Sequence, residues 1–366
     1  MSGFFRDAIR DIVPYEPGKP IDAVQRELGL DRVIKLASNE GPYGPFPSAL
    51  EAMERALREL NRYPDGGVWN LRAALAERHG VQHDEIVVGP GADAIIDWLS
   101  QAALDPGDEI VCGWPSFASY VLGAAKMGAV STTVPLVDHT YDLDALLAAI
   151  TPRTKLVYVC HPNNPTGTAN GSAELRAFFD RVPEHVLVVL DQAYFEYIDD
   201  ADYLDGVDLL REGRRVVVLR TFSKIYGLAG ERVGYGVAPA DVVAATSKVR
   251  RAFEVTSVAQ AAALASMDDE DELARRRAEN AAGRTRLEAI LREHGLYPAG
   301  PSLCNFLYAD VGDGRGVFDR LLREGVIVRP LGGFGAPEAI RITVGTPEEL
   351  ERFSAALGHV LSGVSS

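Results

Sequence analysis

Cysteine is scarce in this chain: three in 366 residues, Cys112, Cys160 and Cys304, which form neither a CxxC pair nor a metal-ligand spacing. Their odd number and wide separation argue against a disulfide framework and against a metal site, and predict buried, reduced thiols. Positive charge is also short. Lys and Arg number 37 against 52 Asp and Glu, a formal net charge of −15 at pH 7, and no basic run interrupts that balance. Nucleic acid and anionic membrane surfaces are therefore poor partners, and any anionic ligand needs local arginines. Hydrophobic runs long enough to span a membrane are missing as well. The opening residues, MSGFFRDAIRDIV, carry acids and no secretory cleavage pattern, so a cytoplasmic protein is expected.

What is present is ample apolar material. A hydrophobic content of 47% over this length can bury large cores, and the length favours two domains over one. Short apolar runs alternate with helical patterns through residues 85–88, 108–112, 129–136, 143–150, 156–160 and 186–190, which predicts a doubly wound α/β sheet. Further on, residues 242–253 and 257–267 read as helices, and 273–294 as a long charged helix of the kind that connects domains. Strands are expected at 305–309, 325–330 and 339–345. Ser48 is a candidate cap for a helix over 49–60.

The richest stretch is 216–236, VVVLRTFSKIYGLAGERVGYG. Residues 216–219 are an apolar run suited to a buried parallel strand. Past its carboxyl end, where open α/β sheets bind ligands, come Thr221, Ser223 and Lys224, with Arg232 eight positions after the lysine. Hydroxyls and a guanidinium suit a phosphate. An amine beside them suits Schiff-base chemistry with pyridoxal phosphate, although a solvated surface lysine reads the same in isolation.

Other strand ends add candidates. The turn GPGAD, residues 89–93, opens a helix whose first N–H groups can bind an anion at Ala92 and Asp93, unless Asp93 only caps the helix. Phe117 follows the strand at 108–112 and can stack on a flat ring or serve the core. Asn164, set between Pro162 and Pro165, presents an amide in a fixed direction or merely makes a turn. Asp191 ends the most apolar strand, where a carboxylate is costly unless paired. A protonated pyridine nitrogen would pair it, and a helix cap is the plainer reading. Tyr194 lies three positions further on. Tyr63 sits in the loop RYPDG and Asn39 in the loop SNEGPYGP. Alternation at 340–344 puts Ile340, Ile342 and Val344 on one face and Arg341 with Thr343 on the other, so Arg341 either pairs at the surface or receives an anion.

Taken together, SNEGPYGP, RYPDG, GPGAD, NNPTGT, DQAY and TFSKIYGLAGERVGY resemble the fold type I pyridoxal-phosphate aminotransferases, specifically the histidinol-phosphate aminotransferase family and its aromatic aminotransferase relatives. The resemblance covers nearly the whole chain. It implies a large domain with a mostly parallel seven-stranded sheet between helices, residues 37–265, and a smaller α+β domain, residues 266–366, with residues 1–36 forming an arm and part of the small domain. Lys224 would carry the Schiff base and shuttle the proton, and Asp191 would pair with the pyridine nitrogen. Asn164 and Tyr194 would bond the ring oxygen, and Phe117 would stack on the ring. Ala92, Asp93, Thr221, Ser223 and Arg232 would hold the phosphate, together with Tyr63 from the neighbouring subunit of a homodimer. Arg341 would take the anionic group of the substrate, assisted by Arg329 and Tyr15, and Asn39 would lie in a mobile entrance loop. The implied reaction is histidinol phosphate plus 2-oxoglutarate giving imidazole acetol phosphate and glutamate by a ping-pong mechanism. Aromatic amino acid transamination, a phosphothreonine-type decarboxylation and a noncatalytic cofactor-binding role are the alternatives. Three departures from the family pattern are Pro90 with Ala92 in the phosphate turn, Gln192 after the aspartate, and Glu231 before Arg232.

Overall fold

The computed structural model describes residues 3–14 and 18–363. Its centre is a seven-stranded sheet in the spatial order Ile86–Gly89, Gly234–Val237, Val216–Thr221, Leu187–Asp191, Thr154–Cys160, Glu109–Trp114, Val130–Pro135. Gly234–Val237 runs antiparallel to both its neighbours, and the other strands are parallel. Parallel strands covered on both faces need continuous apolar runs, and Val216, Val217, Val218 and Leu219 are accordingly all buried. Because these strands share one direction, their carboxyl ends deliver Asp191, Thr221 and the turn after Cys160 to the same edge of the sheet.

A second core lies beyond the long helix Glu270–Glu293. There Phe306–Asp310, Ala339–Thr343 and Arg329–Pro330 form a three-stranded antiparallel sheet, packed with the helices Gly314–Arg323 and Pro347–Ser362. The amino-terminal segment joins this core: Ile34–Lys35 pairs in parallel with Val326–Ile327, and Val24, Ile34 and Leu36 pack with Leu321, Ile340 and Phe353. Leu273 of the long helix sits in the first core, while Leu287, Ile290 and Leu291 sit in the second. That helix begins where Asp269 accepts a hydrogen bond from the Glu272 N–H, which makes the acidic run 268–272 a favourable helix start.

Local expectations changed in three places. The helix expected over 242–253 is Ala240–Thr246 only. Arg250 donates to the Gly66 carbonyl, and Phe253, at φ 63°, stacks on Tyr63, so packing against the 63–66 turn overrides the helical pattern. Ser48 caps nothing. Its helix starts at Pro47, whose ring is preorganised for the first turn, and the Ser48 hydroxyl donates to Asp269 instead. The strand expected at 325–330 breaks at Val328, because its two halves serve different partners, Ile34–Lys35 and Ala339–Thr343.

Candidate active site

Lys224 follows the strand Val216–Thr221 in a tight turn closed by the Gly227 N–H to the Lys224 carbonyl and the Leu228 N–H to the Phe222 carbonyl. The turn needs glycine at 227. Its φ is +69°, and a Cβ there would lie 2.3 Å from the Gly44 carbonyl oxygen. The lysine side chain reaches a cavity of about 290 Å³, near the small end of ligand pockets at roughly 300 Å³. Burial, then the cations of Arg341 and Arg232, push its amine from 10.5 down to about 8, against the opposing pull of Glu40 and Asp191. At pH 7.5 roughly a quarter of such amines are neutral, against about one in a thousand for an ordinary lysine. The neutral form is the nucleophile.

Asp191 faces the same cavity from the end of Leu187–Asp191. Burial raises its pKa, while the Tyr120 hydroxyl, donating to Oδ2 at 2.7 Å, the Ala193 N–H, donating to Oδ1 at 3.1 Å, and the Lys224 charge oppose that rise. A buried carboxylate held by two neutral donors is set to receive a cationic N–H from the cavity. No helix begins at Asp191, so it is not the helix cap that its position also allowed.

Around these two stand the groups that address a ligand's edges. Asn164 is buried, and its Oδ1 accepts from Arg341, which leaves the Nδ2 amide to donate. The Tyr194 hydroxyl accepts from Asn39 Nδ2 at 2.7 Å, which leaves its own proton to donate. Arg341 is buried and also donates to the Ala37 carbonyl at 2.8 Å, so of its two allowed readings the surface one fails. The alternation at 340–344 holds: Ile340 and Ile342 enter the second core, and Arg341 turns toward the first. Asn39 differs from its expected place in a mobile loop. It is buried, its N–H donates to Thr343, its carbonyl accepts from Asn305, and its amide reaches Tyr194.

At the far end the helix Ala92–Ala103 points its amino terminus into the cavity. Gly91, at φ +86°, precedes it, no side chain caps it, and the alternative role of Asp93 as its cap is therefore not realised. Its first N–H groups have no intrahelical acceptor. Two glycines keep this end open to Arg232: a Cβ on Gly91 would lie 2.6 Å from the Arg232 guanidinium, and one on Gly234 would lie 2.4 Å from the Ala92 nitrogen. Thr221 and Ser223 line the same end, with the Ser223 N–H donating to the Thr221 hydroxyl. Amides, two hydroxyls and a guanidinium lining one cavity fit a phosphate. The cavity thus offers an amine, a carboxylate and a phosphate cradle, with the Phe117 ring in its wall, a set of groups that fits pyridoxal phosphate.

Ten of the residues singled out by sequence line this one cavity: Ala92, Asp93, Phe117, Asn164, Asp191, Tyr194, Thr221, Ser223, Lys224 and Arg232. Asn39 and Arg341 touch its walls by hydrogen bonds. Two others stand apart. Tyr63 is 82% exposed and stacked on Phe253. Arg329 pairs in register with Arg341 but opens onto a separate cleft of about 980 Å³ shared with Trp114, Leu122 and Phe334. Tyr15 falls outside the described residues. Sequence reading missed Tyr120, whose signal was its place three residues after Phe117, and Cys160, which lines the cavity floor. All three cysteines are buried and free. Among the described residues no helix is long and apolar enough to cross a membrane.

Comparison with known proteins places this site in context. Residues 31–357 match the family described as aminotransferase class I and II. The histidinol-phosphate aminotransferase of Moorella thermoacetica is 46% identical over 359 residues, covering 98% of this chain and 93% of the relative. Histidinol-phosphate aminotransferase 2 of Pseudomonas fluorescens is 45% identical, covering 99% of this chain and 100% of the relative. Among solved structures, the histidinol-phosphate aminotransferase of Sinorhizobium meliloti in complex with pyridoxal 5′-phosphate superposes with a TM-score of 0.91 at 31% identity, covering 99% of this chain and 98% of the other.

Proposed function

The chain belongs to the aminotransferase class I and II family, and from that premise we propose that it transfers the amino group of histidinol phosphate to 2-oxoglutarate, giving imidazole acetol phosphate and glutamate. It is a pyridoxal-phosphate-dependent transaminase. The observation that carries the substrate assignment is similarity at 45–46% identity, over nearly the full length, to relatives named for that donor. Pyridoxal phosphate, when bound, supplies the electron sink that makes the proton on the substrate's nitrogen-bearing carbon acidic.

The residues divide the remaining work. Lys224 Nζ, neutral in a useful fraction because its pKa is lowered to about 8, would be the amine that holds the cofactor's aldehyde and the general base for the proton on the substrate's nitrogen-bearing carbon. Asp191 would hold the proton on the ring nitrogen, and Phe117 would cover the ring face. Asn164 Nδ2 and the Tyr194 hydroxyl would donate to the ring oxygen. The amides of Ala92 and Asp93, with Thr221, Ser223 and Arg232, would hold the phosphate. Arg341 would receive the substrate's anionic group, with Tyr15 assisting and Arg329 assisting from the separate cleft it lines, and Asn39 fixes Tyr194. Tyr63, exposed at the surface, would reach the phosphate held by a neighbouring subunit, a role that requires a homodimer. The two packed cores support a large domain over 37–265 and a small one over 266–366 joined by the amino-terminal segment. We place the enzyme in the cytoplasm.

Steady-state kinetics test the reaction. Varying histidinol phosphate at several fixed levels of 2-oxoglutarate should give parallel double-reciprocal lines, because the first product leaves before the oxo acid binds. Intersecting lines, or turnover without an oxo acid, would overturn the assignment.

A further inference from the structure

Tyr120 is fully buried on the helix Ser119–Met127, and its Oη donates to Asp191 Oδ2 at 2.7 Å. Its ring meets Phe117 edge to face at 5.7 Å and stacks on Tyr158 at 4.4 Å with an interplanar angle of 13°. We infer that Tyr120 is a positioning residue for the cofactor: one side chain ties the carboxylate that faces the ring nitrogen to the aromatic wall that carries Phe117. This rests on reading the cavity as the cofactor's.

The argument begins with the carboxylate. Asp191 has two oxygens, and the protein spends one donor on each, Ala193 N–H on Oδ1 and Tyr120 on Oδ2. The backbone donor survives any substitution except proline, whereas the phenol is removed by a change as small as Tyr to Phe. A donated hydrogen bond stabilises the anionic form of Asp191 and fixes the rotation of its plane. Without the phenol the carboxylate becomes more basic, draws the ring proton toward itself, and leaves the ring less positive. The other titratable groups facing Asp191 are Lys224 across the cavity, Asp93 on the helix Ala92–Ala103, Cys160 on the adjoining strand and Tyr158. None of them donates a hydrogen bond to Asp191 in place of the phenol. Tyr120 is held in place independently of the carboxylate, by its stack on Tyr158 and its seat in the core, so its hydroxyl is a fixed reference for Asp191.

The test is Tyr120→Phe in the cofactor-loaded protein, which removes one oxygen and keeps the ring. The pH midpoint of the bound cofactor's visible absorbance change should rise by about one unit, because a less positive ring leaves the imine nitrogen more basic. The turnover number should fall about tenfold, the order expected for losing a hydrogen bond to a charged group. KM for both substrates should stay within about twofold, since Tyr120 is placed against Asp191 and not against substrate. Tyr158→Phe, which removes a hydroxyl from the stacked ring and leaves the donor to Asp191 in place, should move neither the midpoint nor the turnover number. Tyr120→Met, lacking any donor, should shift the midpoint in the same direction as Tyr120→Phe. A Tyr120→Phe midpoint equal to the wild type, or loss of folding in both Tyr120 variants, would overturn the inference and leave Tyr120 a packing residue. A wild-type protein that shows no pH-dependent cofactor absorbance would instead overturn the cofactor site itself.

Discussion

Replacing Arg341 separates recognition of substrate from capture of the cofactor. The guanidinium is buried and donates to Asn164 Oδ1 and to the Ala37 carbonyl. Removing one partner of a buried ion pair leaves the other charge uncompensated, at about 3–5 kcal/mol. In Arg341→Ala the substrate's anionic group is that other charge, so kcat/KM should fall by roughly two to three and a half orders of magnitude. Most of the loss should appear in KM. Arg341→Lys keeps a point charge but loses the planar fork, and should recover part of it. Arg341→Ala leaves Asn164 and Ala37 without a donor, which costs about 1–3 kcal/mol per buried acceptor in stability, so thermal unfolding should be followed alongside. Cofactor affinity, read from the absorbance of the bound form, should change far less than KM because Arg341 lies outside the phosphate cradle. An unchanged KM for both donor and acceptor in Arg341→Ala would refute this reasoning and move the anion site elsewhere.

Four further perturbations follow from the same geometry. Lys224→Ala should abolish turnover while the phosphate contacts retain part of the cofactor affinity; residual turnover would exclude Lys224 as the nucleophile. In the wild type stripped of cofactor, the rate of aldehyde capture should rise with pH to a midpoint near about 8, because the amine is lowered to that value and only its neutral form reacts; a midpoint near the ordinary 10.5 would show that burial and Arg341 do not act on it. Gly234→Ala drives a Cβ to 2.4 Å from the Ala92 nitrogen, so it should cost about 1–3 kcal/mol by overpacking and weaken cofactor binding, and wild-type values for both would contradict the close approach. Mixing Tyr63→Ala with Lys224→Ala subunits should restore one complete site in each mixed dimer, about a quarter of full activity at equal proportions, whereas activity no greater than the separate variants would place Tyr63 outside the partner's site.

Much of this was legible because strand ends are strong signals. Apolar runs at 156–160, 186–190 and 216–219 mark parallel strands, and parallel strands force whatever follows them to one edge, which is why the sequence groups Asn164, Asp191 and Lys224. The glycine turn before Ala92 was readable for the same reason. What sequence could not supply was long-range partnership. Nothing local says that Tyr120 meets Asp191 across 71 positions, or that Arg341 meets Asn164 across 177. Alternation placed Arg341 on a face, but only the packing of the second core against the first makes that face internal. Asn39 shows the reverse case: its turn-rich surroundings read as a loose loop, and bonds to Thr343 and Asn305, more than 260 positions away, hold it fixed. The helix over 242–253 failed because Arg250 and Phe253 are used against the turn at 63–66.

The central claim is tested most directly by a half-reaction without any oxo acid. Purified protein carrying pyridoxal phosphate is mixed separately with histidinol phosphate, phenylalanine and phosphothreonine, and the absorbance of the bound cofactor is followed as it passes from the aldehyde to the amine form. Rapid and complete conversion with histidinol phosphate, slow conversion with phenylalanine and no loss of carbon dioxide from phosphothreonine are the expected results. Faster conversion with phenylalanine would make this an aromatic aminotransferase, and no conversion with histidinol phosphate would contradict the account.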